Sequence, residues 1–187
     1  MGQLDPQSLP GHVDRLYRAA WALCGSPHEA EDLVQETFVR VLARPRMLRA
    51  VGTTSQAAEL AYLMRVLRNT FLNSRRSASR RPQVSATLEQ ADPADPRAGE
   101  QAEQALEAQE LYAAIAELPE DFRLALVAVD ILGLSYAQAG RALGAPEATI
   151  TTRLHRARRR VVASVDPPTQ SGDAHQREGS TPPRSLD

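Results

Sequence analysis

The sequence predicts an all-α protein of two small helical domains that are joined by a flexible acidic linker. Apolar residues recur every three or four positions in several long stretches, which is the spacing of one face of a helix. Ala and Leu dominate the apolar residues, and aromatic residues make up only 4% of the chain, a composition that favours helices over sheets. Glycine and proline separate the periodic stretches, and we find no segment with the alternating pattern of a strand.

Changes in composition predict where the domains begin and end. Three polar segments rich in Pro, Ser, Gly or Asp lack apolar periodicity, and they cannot bury enough apolar surface to offset the entropy of ordering. We therefore predict a disordered N-terminus over residues 1–10, a first helical domain over 11–81, a flexible linker over 82–104, a second helical domain over 105–164 and a disordered tail over 165–187.

Three helices are predicted in the first domain. The first lies near His12–Cys24 and ends at Gly25, a typical left-handed cap. The second follows the capping residue Ser26 and runs to about Ala43, and the third covers about Ser55–Arg76. The residues expected on their inner faces are Val13, Leu16, Ala20 and Leu23 in the first, Ala30, Leu33, Val34, Thr37, Phe38, Val41 and Leu42 in the second, and Leu60, Leu63, Met64, Leu67 and Phe71 in the third.

The second domain is predicted to open with a helix over about Glu100–Glu117 and to contain a helix-turn-helix between Leu118 and Val162. Pro119 begins a helix that Gly133 ends, and Ser135 with Gln138 forms a capping box for a short helix, Tyr136–Leu143. Gly144 and Pro146 then separate this helix from the last one. The inner residues are expected to be Phe122, Leu126, Val129 and Leu132 before the turn, and Ile150, Leu154, Ala157 and Val161 in the last helix.

Charge is distributed unevenly along a chain whose formal net charge is only −1. Every basic side chain except histidine is Arg, and residues 62–81 and 149–162 contain several arginines but no acid. Residues 89–110 are acidic, with Arg97 as their only arginine. One charge run is usually only a solvated face, but two acid-free runs on predicted helices favour binding to a phosphate backbone.

Several classes of protein are disfavoured by the sequence. A single cysteine, Cys24, cannot build a disulfide framework or a zinc site within the chain. We expect no membrane insertion, no signal peptide, no cofactor and no enzymatic activity, and we expect a cytoplasmic protein. A thiol nucleophile formed by Cys24 near His28 is the strongest enzymatic alternative, although a half-buried core cysteine explains the same residue more simply.

Two helices carry the candidate DNA contacts. On the last helix, the early exposed residues are expected to contact base edges and the remaining arginines to hold phosphates. On the third helix of the first domain, a polar stripe beside an aromatic residue suits single-stranded bases, although an ordinary hydrated face fits the periodicity equally well. The base-reading candidates are Thr151, Thr152, His155 and Arg156, the phosphate candidates are Arg153, Arg158 and Arg160, Arg159 shares the exposed side, and the stripe is Tyr62, Arg65, Asn69, Asn73 and Arg76.

Five stretches resemble the extracytoplasmic-function sigma factors, the compact bacterial initiation factors that carry only sigma regions two and four. Residues 31–38, EDLVQETF, are similar to the core-polymerase-binding motif of that family, and residues 61–73, AYLMRVLRNTFLN, to its minus-ten recognition and melting helix. Residues 118–123, LPEDFR, and 133–136, GLSY, are similar to the start and middle of region four, and residues 149–158, TITTRLHRAR, to its recognition helix.

The resemblance implies a sigma factor that contacts both promoter elements and opens DNA without ATP. It implies binding to the beta and beta-prime subunits of core RNA polymerase, to promoter DNA and to an anti-sigma protein. The residues implied are Asp32, Gln35, Glu36 and Phe38 for polymerase, Tyr62, Arg65, Arg68, Asn69, Asn73 and Arg76 for the minus-ten element, and Thr151, Thr152, Arg153, His155, Arg156, Arg158 and Arg159 for the minus-thirty-five element.

Two further observations qualify this interpretation. Gly140 stands where the family usually has Ala, and a glycine inside a helix costs about 1 kcal/mol relative to Ala, so the short helix Tyr136–Leu143 is expected to be marginal alone. A helix-turn-helix regulator that does not bind polymerase is the alternative function, and residues 133–136 alone would fit it.

Overall fold

The computed structural model describes residues 2–3, 6–43, 47–48, 55–78 and 98–165, and these residues are almost entirely helical. We call residues 6–78 of this set the first block and residues 98–165 the second block. The elements are strand β1 (Gly2–Gln3), a 3-10 helix (Pro6–His12), α1 (Val13–Cys24), α2 (Pro27–Ala43), strand β2 (Met47–Leu48), α3 (Ser55–Ala78), α4 (Ala98–Ala116), α5 (Glu120–Leu126), a π-helical turn (Val127–Ile131), α6 (Tyr136–Leu143) and α7 (Glu147–Val165).

The N-terminal prediction was wrong for the residues that the structure describes. The segment over residues 1–10, which was expected to be disordered, contains most of the 3-10 helix. This helix is ordered because its residues Leu9 and His12 are buried against the other helices of the first block. His12 Nε2 lies 3.1 Å from the buried carboxylate of Glu59, which ties this helix to α3. The all-α prediction is confirmed for the described residues, in which the one pair of strands, β1 and β2, has two residues in each strand and is antiparallel. Two residues are too few for an alternating pattern to be visible.

The helices of the first block pack as the apolar spacing predicted, with two exceptions. The predicted stripe of α3 is buried throughout, and Gly25 ends α1 with a positive φ of 78°. Val13 and Leu42, both expected inside, are 40% and 54% exposed. Each lies in a terminal turn of its helix, and periodicity gives the direction of a side chain but not the point at which the neighbouring helix ends.

The second block forms the predicted helix-turn-helix. The capping box is present, since Gln138 N donates to Ser135 Oγ and Ser135 N donates to Gln138 Oε1. Ile150, Leu154 and Ala157 of α7 are buried as expected, and Val161 is half-buried. One feature was not predicted: α5 continues into a π-helical turn, in which Leu132 N donates to Val127 O. Such turns leave no periodicity signal of their own because they insert only one extra residue per turn.

Gly140 has a structural reason that sequence spacing did not reveal. A Cβ at this position would lie 2.7 Å from the carbonyl oxygen of Ala145, and Ala145 N donates to Gly140 O. The turn between α6 and α7 therefore folds back directly against this residue. Glycine is required for the close approach of the turn, so the view of Gly140 as a weakness of α6 was incomplete.

The two blocks pack against one another. Helix α1 contacts α4 and the π-helical turn, and α3 contacts α6. The rings of Trp21 and Tyr112, one from each block, have centroids 4.6 Å apart. Helix α4 (Ala98–Ala116) matches the helix predicted over about Glu100–Glu117, and its first turns lie inside the stretch 82–104 that was predicted as linker. The remainder of that linker, residues 82–97, and the tail residues 166–187 lie outside the described residues.

None of the helices in the described ranges has the length and apolar character that crossing a bilayer requires.

We expect Gly140→Ala to destabilise the protein although alanine favours helices. The gain in helix propensity of about 1 kcal/mol is opposed by an overpacking penalty of about 1–3 kcal/mol at the Ala145 carbonyl, so a net loss of about 1 kcal/mol should lower the urea midpoint. Gly11→Ala is the matched control, because a Cβ there meets nothing within 4 Å. A midpoint that rises for Gly140→Ala would contradict the close approach.

Candidate nucleic-acid interface

The outer face of α7 presents a continuous polar surface. Thr151, Thr152, His155, Arg156 and Arg159 are all exposed, as their positions opposite the buried stripe predicted. The hydroxyls of the two threonines donate to backbone carbonyls one turn earlier, at 3.1 and 3.0 Å. These bonds hold each threonine in one rotamer, which leaves its methyl group and oxygen lone pairs at fixed positions on the surface.

Three other arginines of α7 have partners within the second block. Arg153 Nη2 donates to Asp121 at 2.6 Å. Arg158 makes a two-pronged bond to Asp130, at 3.0 and 2.6 Å, and this hydrogen bonding raises the pKa of its guanidinium. Arg160 lies over the ring of Phe122, 5.2 Å from its centroid. Sequence spacing placed these arginines near phosphates, and the structure shows that each already has a partner within the second block.

The polar stripe of α3 is divided between two environments. Asn69, Asn73 and Arg76 are exposed, on the side of α3 away from its core stripe. Tyr62 is half-buried. The amide groups that were predicted to meet single-stranded bases are therefore accessible in this structure.

A neighbouring face of α3 lies against the second block. Arg65 Nη2 donates to the carbonyl oxygen of Arg141 in α6 at 2.9 Å. Arg68 lines a cavity of about 300 Å³ together with residues of α5, α6 and α7, and its Nε is buried without a hydrogen-bond partner. Arg75 forms an ion pair with Glu120 at 3.4 Å. Their acid-free sequence context did not reveal that these arginines face protein.

The third surface is the outer face of α2. Of the four residues predicted to contact polymerase, Asp32, Gln35 and Glu36 are exposed, and Phe38 is half-buried. Glu36 is held by Arg40 at 2.6 Å. Val39, which the sequence analysis missed, is 60% exposed.

Arg123 is the most consequential residue that the sequence analysis passed over. It is only 9% exposed, donates to Leu23 O at 2.6 Å and Leu118 O at 2.9 Å, and lies over the Phe71 ring at 5.9 Å. Burial, and then repulsion from Arg75, lowers its pKa. Arg123 is the only charge in the apolar stretch 122–129, and this was the available signal, since such a charge must find partners in the fold.

Cys24 has the environment of a structural thiol. Burial raises its pKa to about 12, and Glu29 adds to the shift. A nucleophilic cysteine needs the opposite shift, toward the thiolate. The geometry thus disfavours the enzymatic alternative based on Cys24 and His28.

Comparison with protein families assigns both blocks. The model described as Sigma-70 region 2 matches residues 11–81, and the model described as Sigma-70, region 4 matches residues 108–161.

Named relatives agree with these matches. The chain is 36% identical over 152 residues to the ECF RNA polymerase sigma factor SigE of Mycolicibacterium smegmatis, covering 80% of this chain and 57% of that protein. It is 34% identical over 149 residues to SigL of Mycobacterium tuberculosis, covering 77% and 78%. It is 35% identical over 152 residues to EcfG of Rhodopseudomonas palustris, covering 81% and 79%.

Two solved structures share the fold. The sigma factor RpoE in complex with the anti-sigma factor NepR from Bartonella quintana superposes with a TM-score of 0.61 at 26% identity, covering 85% of this chain and 94% of that chain. CnrH in complex with the cytosolic domain of CnrY gives a TM-score of 0.54 at 23% identity, covering 86% of each chain.

We expect Cys24 to resist alkylation in the folded protein. With a pKa of about 12, it carries roughly a thousandfold less thiolate at pH 8 than an ordinary cysteine of pKa about 8.5. Iodoacetamide labelling should be correspondingly slow, and it should become fast in concentrated urea. An Ala113→Cys variant in a Cys24→Ala background places a thiol on an exposed helix position as the control. Equal native rates at the two positions would refute the buried environment.

Proposed function

The chain belongs to the extracytoplasmic-function group of the sigma-70 family, and we propose from this premise how its surfaces divide the work of transcription initiation. As a sigma factor it is an initiation factor rather than an enzyme, and it directs RNA polymerase to promoters. The prediction of its family, its helical fold and its general function is confirmed by the family matches and the named relatives.

We propose that α7 reads the minus-thirty-five element in the major groove. Thr151, Thr152, His155, Arg156 and Arg159 form the exposed face that a recognition helix presents to bases and phosphates. The bonds from Arg153 and Arg158 to carboxylates of α5 and the π-helical turn orient α7, and these two arginines contact phosphates after exchanging partners.

For the minus-ten element, we propose that α3 captures bases in single-stranded form. Asn69 and Asn73 offer amide donors and acceptors, with Tyr62 available for stacking and Arg65, Arg68 and Arg76 for the backbone. Capture of unpaired bases favours the melted state over the duplex by differential binding, so no ATP is needed. The observation that supports this assignment is the exposed, acid-free amide face beside a fully buried apolar stripe.

The outer face of α2 is proposed to bind the beta and beta-prime subunits of core polymerase. Asp32, Gln35, Glu36 and Phe38 provide its polar and aromatic contacts, and Val39 adds an apolar one. The same face stays exposed while the two blocks are in contact, so polymerase can reach it without any rearrangement of the chain.

We further propose the division of the chain and its setting. Residues 11–81 act as region two, 82–104 as the connector and 105–164 as region four. The protein works in the cytoplasm, where polymerase and DNA are. Because the related sigma factor RpoE was solved in complex with the anti-sigma factor NepR, an anti-sigma protein is a proposed partner here too.

The decisive experiment is transcription in vitro with purified core polymerase on genomic fragments, followed by mapping of the start sites. Promoter-specific transcripts that depend on the added chain are expected. Specific DNA binding without polymerase-dependent transcripts would favour a helix-turn-helix regulator instead.

Arg156→Ala should weaken recognition of the minus-thirty-five element. Loss of an arginine contact to a base edge costs about 1–3 kcal/mol, so transcription from the mapped promoter should fall by about five- to a hundredfold at limiting protein. Arg15→Ala removes the same charge from an exposed position on α1 and serves as the control. Equal activity of the two variants would show that Arg156 does not contact the promoter.

Val39→Asp should weaken binding to core polymerase. Placing a carboxylate in an apolar contact should cost at least about 1.4 kcal/mol, which is tenfold in Kd. Val13→Asp introduces the same change at a valine that is also exposed, on α1. Native gel titration with core polymerase compares them, and similar affinities for both variants would remove Val39 from the interface.

A further inference from the structure

Helix α7 carries one acid, Glu147, and this residue lies on the face that is proposed to read DNA. Glu147, Thr151, His155 and Arg159 are four residues apart and exposed, so they form one inclined row along the helix surface. The contacts proposed above begin at Thr151 and leave Glu147 out. The row itself continues one turn farther toward the N-terminal end of α7, which is the end of a recognition helix that contacts base edges.

The carboxylate of Glu147 has no cation to neutralise it. Two other acids of the second block, Asp121 and Asp130, are bound by Arg153 and Arg158 of α7. In the described part of the chain, no arginine or histidine lies within ion-pair distance of Glu147. Because an ionised carboxylate offers only acceptors, Glu147 adds acceptors and no donor to the reading face.

The two threonines one turn later also offer acceptors rather than donors. The hydroxyl of Thr151 donates to the carbonyl oxygen of Glu147, and the hydroxyl of Thr152 donates to that of Ala148. Each hydroxyl proton is thereby committed to the helix, and the oxygen lone pairs and the methyl group remain for a base. The exposed side chains at the start of α7 therefore present acceptors and methyl groups, and they are those of Glu147, Ala148, Thr151 and Thr152.

The arginines of this exposed face lie farther along the helix. Arg156 is nine residues after Glu147, which is about 14 Å along the axis at about 1.5 Å per residue, or about four base pairs of B-form DNA at about 3.4 Å each. The two ends of the reading face thus contact different base pairs. Arginine pairs with guanine, whereas a carboxylate accepts from an exocyclic amino group, for which cytosine N4 is the usual donor.

We propose that Glu147 is a specificity-determining residue, whose carboxylate accepts a hydrogen bond from the amino group of a cytosine at the end of the minus-thirty-five element that meets the N-terminal end of α7. The proposal rests on the function assigned above and deepens it. The phosphates of every DNA sequence repel a carboxylate, and a base that offers a donor offsets this repulsion. Glu147 therefore acts against wrong sequences as well as for the right one, which is a recurrent route to specificity.

The test measures base preference as well as activity. Holoenzyme assembled from the full chain and core polymerase transcribes a pool of tagged templates that carry the mapped promoter with its minus-thirty-five element randomised. Sequencing of the tags in the transcripts gives the preference at each position. The variants are Glu147→Gln and Glu147→Ala, and Glu29→Gln is the matched control, because Glu29 is also an exposed acid in the first turn of its helix, α2.

We expect the wild-type chain and Glu29→Gln to favour cytosine by about tenfold at one position of the element. Glu147→Gln should change the favoured base at that position from cytosine to adenine, because a glutamine amide pairs with both the N6 amino group and N7 of adenine. Glu147→Ala should remove the preference there. Both variants should retain the wild-type preferences at the other positions.

The proposal is overturned if both Glu147 variants keep the wild-type base preference at every position, even where their total transcription falls. A uniform fall would assign Glu147 only to the stabilisation of α7, since a carboxylate in the first turn interacts favourably with the helix dipole. Absence of transcripts from every template with the wild-type chain would refute the proposed function and this inference with it. Promoter-dependent transcripts with an unaltered preference would refute the role of Glu147 alone.

Discussion

The arrangement of the two blocks depends on the burial of one cation, the guanidinium of Arg123. A buried charge without a carboxylate partner is costly, and the chain meets this cost with two carbonyl acceptors, Leu23 O and Leu118 O, and the face of the Phe71 ring. The acceptors come from both blocks. Separation of the two blocks breaks the hydrogen bond from Arg123 to Leu23 O and exposes the guanidinium to water. Hydration of the cation then offsets part of the lost stabilisation. Such an interface can be stable and still separate reversibly.

Prediction from the sequence succeeded where local rules decide the structure. The buried stripe of α3 and the caps at Gly25 and Ser135 follow from spacing and backbone chemistry within a few residues. It failed where distant segments meet: Arg123 contacts a carbonyl 100 positions away, and no periodicity encodes that pairing. The tight turn against Gly140 belongs to the same class, because it is the position of the Ala145 carbonyl, not helix propensity, that selects glycine.

Within the candidate site, the exposure of the side chains was predictable from the sequence, but their hydrogen-bond partners were not. The outward direction of Thr151 and Arg156 followed from the buried stripe of α7. That Arg158 is bound by Asp130, and Arg65 by a backbone carbonyl of α6, could not follow from spacing, because arginine side chains are long and find acceptors on neighbouring elements. An acid-free run in sequence is therefore not a surface free of partners, since the arginines can be neutralised by residues that arrive from elsewhere in the fold.

The contact between the Trp21 and Tyr112 rings has a practical consequence. The chain contains a single tryptophan, and it lies on the boundary between the blocks, with the centroid of the Tyr17 ring 6.0 Å from that of the indole. Its indole NH is buried without a hydrogen-bond partner. An indole that becomes hydrated when the two blocks separate changes its emission wavelength and intensity. The intrinsic fluorescence of the unmodified protein therefore reports whether the two blocks are in contact. Stopped-flow mixing with polymerase could follow this fluorescence change in real time without a label.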